Sequence, residues 1–138
     1  MKIKTSKLTG AALDWAVCMA KGLKPEDIYI SRDRYAKRAY LYRRNRDEDG
    51  NLAASYTTGS SLLFSSRWEA GGPLLSQERI SRTIDHSGLW IAYWTDGYTE
   101  GGAGKLWMQC DRSELVAGLR CYVAKELGEE VDVPEELK

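Results

Sequence analysis

The sequence predicts an α+β fold, an antiparallel sheet of hairpins packed by an N-terminal helix and a C-terminal helix in a single domain. Three observations carry this. Apolar residues recur at helical spacing near both ends of the chain. Between them lie short alternating stretches, turned by Asp49-Gly50 and Asp96-Gly97, and Asp-Gly is a hairpin signal. The 138 residues, 43% hydrophobic and 29% charged, match one soluble globular domain with a real core.

Lys2-Ile3-Lys4-Thr5 alternates charge and apolar character and reads as a short strand. Thr9 is the expected N-cap of the first helix, with Leu8 and Leu13 spaced as a hydrophobic staple. Leu13, Ala16, Val17 and Ala20 share one face, Asp14 falls on the other side, and Gly22 is the expected stop. Ile28-Tyr29-Ile30 reads as a strand. Arg38 to Arg44 reads as a half-exposed one, with Tyr40 and Tyr42 on one face and Ala39, Leu41 and Arg43 on the other. The turn at residues 47–51 returns the chain along Leu52 to Thr58. Ser61 to Phe64 is expected as a further short strand.

The centre, Phe64 to Leu75, contains Arg67-Trp68 and then Gly71-Gly72-Pro73. Gly-Gly-Pro reads as a break, with Pro73 starting a short helix that reaches Ile80. Leu89 to Trp94 is the clearest strand, followed by a glycine-rich loop over 97–104 and a return strand over 105–110 that carries Trp107. Asp111 or Ser113 caps the last helix, whose stripe is Leu115, Leu119, Tyr122, Val123 and Leu127, stopped by Gly128. The domain is expected over 1–128, with 129–138 an acidic tail.

The formal charge is zero but unevenly spread. Arg32, Arg34, Lys37, Arg38, Arg43, Arg44 and Arg46 face a single acid, Asp33, within residues 32–46. Acids dominate from Glu126 onward. These two regions are expected to attract each other or to meet partners. Cys18, Cys110 and Cys121 form no metal-binding spacing and are expected as free thiols. No apolar run suits a membrane span and no signal peptide is visible, so a cytosolic location is expected.

Lys4 to Val17, Ser65 to Leu75 and Leu115 to Leu137 together resemble the NinX-like family of small phage and prophage proteins. The match lies in the order and spacing of three separate pieces. The resemblance implies a phage-encoded accessory protein acting in the cytosol of a host bacterium. It implies no mechanism, because the family is known as one of unknown function.

Enzymatic chemistry is not expected. His86 is the only histidine, and a pairing of Cys110 or Cys121 with it has no local signature. No phosphate-binding or dinucleotide-binding glycine loop is present, and no metal or cofactor is expected. Binding is better supported. Arg67 and Trp68 would grip and stack an anionic ligand beside backbone opened by Gly71 and Gly72. Arg79, Arg82, Trp90, Trp94 and Arg120 are further candidates, and Arg120 is expected to pair with an acid of the tail. The first functional reading is a sponge for a small anionic, nucleotide-like ligand in phage counter-defence. The alternative is a protein-interaction module that inhibits or adapts a host defence protein or a phage protein. Nucleic-acid binding through residues 32–46 is a third reading, weakened by a pI near 6.6. A homodimer is expected from the aromatic content and opposed charge patches.

Overall fold

In the computed structural model the structure describes residues 1–32, 39–95 and 106–137, and of residues 53–60 the backbone alone. The order is β1 (Lys2–Lys4), α1 (Gly10–Ala20), β2 (Ile28–Arg32), β3 (Ala39–Arg46), β4 (Leu52–Ser61), α2 (Trp68–Gln77), β5 (Ser81–Ile84), β6 (Trp90–Thr95), β7 (Leu106–Asp111), α3 (Glu114–Leu127) and β8 (Glu130–Asp132). The α+β class holds. The strands do not form one sheet, however. They divide into the pair β1–β8 and two antiparallel three-stranded sheets, β2–β3–β4 and β5–β6–β7. The expected turn at residues 96–97, the loop over 97–104 and Arg34, Lys37 and Arg38 lie outside the described residues.

The helix α3 is the hub. Its Ala117, Leu119, Cys121 and Val123 are fully buried, and it packs on β6, β7, α1 and α2. Where α3 meets α2, a Cβ on Gly118 would lie 2.4 Å from a Leu75 methyl, so glycine sets how closely the helices approach. Ser113 is the N-cap, its hydroxyl accepting the Val116 N–H at 3.2 Å. Asp111 instead accepts the Ser113 N–H at 2.8 Å. Gly128 ends the helix at φ +94°, in the left-handed region.

Thr9 occupies the N-cap position of α1, but its hydroxyl makes no capping bond. Asp14 is not on a solvent face. It is 2% exposed, and its carboxylate accepts the Ser65 N–H at 2.7 Å, pinning the chain that enters α2. The Ser65 hydroxyl donates to the Gly10 carbonyl at 3.3 Å, a second tie between the same segments. The strand expected over Ser61 to Phe64 is not a separate one: Ser61 is the last residue of β4, the Leu62 N–H still donates to the Leu41 carbonyl at 2.9 Å, and the chain turns over Phe64 to Ser66.

Two larger corrections follow from packing. The Gly71-Gly72-Pro73 stretch is no break: α2 runs through it. Proline at the sixth helical position loses the bond its missing N–H would make to the Glu69 carbonyl and crowds that carbonyl with its ring, and the tertiary contacts of α2 outweigh both. The acidic end is not a tail. Residues 130–132 pair with β1 in the register Lys2 with Asp132, Ile3 with Val131 and Lys4 with Glu130. Val131, Val133 and Leu137 are buried in the core while Glu130 and Asp132 stay outside, as strand alternation requires. Thr5 clamps the junction: its N–H donates to the Glu129 carbonyl and its hydroxyl to the Gly128 carbonyl, both at 2.7 Å.

Candidate functional site

The first turn of α2 builds an exposed aromatic corner. Trp68 is the first residue of the helix, and 47% of it is exposed. Its ring lies against Gly72, one turn on, where a Cβ would come within 2.7 Å of the indole. Across from it, the guanidinium carbon of Arg82, on β5, sits 5.8 Å from the Trp68 ring centroid. Arg82 is itself held: its Nε donates to Glu114 Oε1 at 3.1 Å and an Nη to the Ile80 carbonyl at 3.5 Å. Glu114 is the first residue of α3, so three elements converge here. Arg67 stands beside Trp68 at the N-cap of α2, exposed, with Glu69 at 3.8 Å.

Gly71 does different work from that expected. A Cβ there would meet the Phe64 carbonyl oxygen at 2.4 Å and Leu115 at 2.8 Å. Its bare backbone is therefore filled by the protein itself and is not open to a ligand. Phe64, the only phenylalanine, is the buried plug that the central tryptophan is not.

The remaining candidates are scattered. Arg79 is exposed just past the end of α2, in the left-handed region at φ +56°. Its N–H donates to the Ser76 carbonyl at 3.2 Å, and the Ile80 N–H donates to the Leu75 carbonyl at 2.9 Å. These two bonds are a Schellman cap, with arginine in the glycine position. Trp90 and Trp94 lie half-buried on the face of β6 that packs towards α3, with fully buried Ala92 between them. Trp94 meets Trp107 at 5.2 Å between centroids, and Lys125 Nζ stands 4.5 Å above the Trp94 ring. Lys125 is also bonded to Glu78 and Glu126. Burial works to lower its pKa, but those two carboxylates outweigh burial and raise it. The cation at this tryptophan is thus the protein's own.

Arg120 is 6% exposed and is a tie between elements. It donates to the Leu8 carbonyl at 2.8 Å, and to the Cys110 carbonyl and Asp111 Oδ1, both at 3.1 Å. Its acidic partner is Asp111, not a residue of the C-terminal end. That end is tied by Arg32 instead, which donates to the Glu136 carbonyl. Arg46 is committed to Asp27 and to the Gly50 carbonyl. Backbone bonding from Lys24, and then the Arg46 contact, holds the Asp27 carboxyl below its usual range.

Burial pushes the Cys18 thiol up to about 12, helped by Asp14, and the Cys121 thiol up to about 11. Both are protonated, poor nucleophiles at neutral pH. His86 is exposed in the turn that Asp85 closes. Among the described residues, no group of histidine, cysteine and acid side chains is placed to hold a metal, and no helix is long and apolar enough to cross a membrane.

Of the predicted site, the fold brings Arg67, Trp68 and Gly72 together with Arg82. It leaves Arg79, Trp94 and Arg120 in separate structural roles. The Lys125–Trp94 contact had no local signal, since the two lie on different elements far apart in sequence. The chain matches no curated protein. A family model does match it, over residues 4–126, which include β1's last residue, the whole aromatic corner and nearly all of α3. On that match the chain belongs to the family described as Bacteriophage P22, NinX.

Proposed function

We propose that this phage-family protein is a non-enzymatic accessory protein that works by binding another protein, with the Trp68–Arg82 corner as its contact. The observation that carries this reading is the half-exposed indole of Trp68, seated on Gly72 and faced by a guanidinium. Tryptophan and arginine are the residue types that dominate binding energy at protein interfaces, and here both are positioned before any partner arrives. A host defence protein or another phage protein is the partner class that fits an accessory role.

The nucleotide-sponge reading loses three supports. Arg120 already has three acceptors, Gly71 is packed against Phe64, and Lys125 occupies Trp94. Co-purification from phage-infected cells tests the choice. A partner retained by the native chain and lost with Trp68→Ala, at unchanged melting temperature, supports the interface. Thermal stabilisation by a nucleotide or cyclic nucleotide that depends on Trp68 would overturn it in favour of the sponge.

A further inference from the structure

We propose that the solvent face of the β5–β6–β7 sheet is a dimer interface, which packs against the same face of a second copy of this chain. Cross-strand partners share a face, so the register assigns each side chain to one side of the sheet. Ile91, Tyr93 and Thr95 of β6 lie on one side with their partners Cys110, Met108 and Leu106 of β7. Ser81 and Thr83 of β5 join them as the partners of Tyr93 and Ile91. All of these but Ile91 are exposed, Leu106 at 56% and Met108 at 55%. None is charged.

That pattern reverses the usual one. An antiparallel sheet with one wet face normally turns its polar residues to water. Here the only charged residues of the three strands, Arg82 and Asp111, lie on the α3 side, paired with Glu114 and Arg120. The solvent face is uncharged and largely apolar, so it has no charge with which to select a charged partner surface. It is complementary to itself, because two copies meet without burying an unpaired charge. A two-fold contact needs a self-matching surface of this kind. Two sheet faces also pack well through interdigitated side chains, and Leu106, Met108 and Tyr93 stand out from this one. Apolar patches on this scale expose about 300–600 Å², so two of them bury on the order of 1,000 Å². That is the low end for a specific interface, and it fits a reversible dimer. Arg82 lies on the opposite side of the sheet, so the dimer leaves the Trp68–Arg82 corner uncovered and presents it twice.

The test is sedimentation equilibrium of the full chain in reducing buffer, at concentrations rising through the micromolar range. Reversible dimerisation is expected, with a dissociation constant on the order of 10 µM. Met108→Glu should keep its melting temperature at low concentration, because the side chain is exposed in the monomer. It should weaken the dimer by roughly a hundredfold, as like charges meeting across an interface do. Leu106→Lys should act in the same way. Cys110 locates the contact. Cys18 and Cys121 are buried, so N-ethylmaleimide reaches Cys110 alone. Its alkylation should slow as the native chain dimerises, and should not slow in Met108→Glu. A monomer at every concentration, a dimer that survives Met108→Glu, or Cys110 alkylation at a rate independent of concentration would each overturn the proposal. So would a monomeric chain whose Met108→Glu variant loses a captured host protein, since the face would then belong to that partner.

Discussion

At the scale of single residues, the two central glycines differ in what a methyl would strike. At Gly71 it strikes a backbone carbonyl that cannot swing away, so Gly71→Ala is expected to destabilise by about 1–3 kcal/mol, as overpacked cores do. At Gly72 it strikes the indole of Trp68, which is half exposed and can move. Gly72→Ala should therefore leave the melting temperature nearly unchanged while weakening partner capture, which separates the interface from the fold. Arg79 offers the opposite case. A non-glycine residue in the left-handed region costs about 1–2 kcal/mol, so Arg79→Gly should stabilise the chain by about 1 kcal/mol in urea denaturation. The sequence marked Arg67, Trp68 and Gly72 as neighbours, and they remain neighbours in the fold. It could not show that Arg120 is spent on Leu8, Cys110 and Asp111, because those acceptors come from other parts of the chain.

At the scale of elements, buried polar ties decide how helices and strands join. Arg120→Met removes the fork that joins the start of α1, the end of β7 and α3. It is expected to cost about 1–3 kcal/mol, the range for leaving buried acceptors such as the Leu8 carbonyl unsatisfied, since the Asp111 left behind still reaches solvent. The Asp27–Arg46 contact ties the turn before β2 to β3, and it makes a pH prediction. Asp27 has a depressed folded pKa, so its contribution is present above the unfolded value of about 3.9 and is lost as pH falls through the folded value. The melting temperature of Asp27→Asn should lie below that of the native chain at pH 6. The gap should close as pH drops below about 4. Helix α2 shows why a local rule failed. Glycine and proline disfavour a helix in isolation, but Leu74 and Leu75 are buried and Gly71 and Gly118 let α2 seat closely. Packing outweighed propensity.

At the scale of the whole molecule, the acidic end belongs to the core. Each of Val131, Val133 and Leu137 contributes roughly 1.5–3 kcal/mol by burial, and together they rival the ~5–15 kcal/mol of net stability usual for a domain. A chain cut after Gly128 should therefore lose cooperative unfolding, followed by circular dichroism on heating. A partner lost by that truncation would report unfolding and not a docking tail.

The sequence by itself determined the α+β class, both outer helices, the hairpin about Asp49-Gly50 and membership of a phage family; the stripes held only in part, since Asp14 is buried and Leu127 is exposed. These are local or periodic signals, written within a few turns of chain. Only the tertiary structure decided that the strands split into three sheets, that the acidic end pairs with β1, and that Gly71 is filled while Trp68 stays open. The physical reason is common to all three. Each depends on which surfaces meet across the molecule, and side-chain burial and steric contact at those meetings outweigh the weaker preferences of any one stretch.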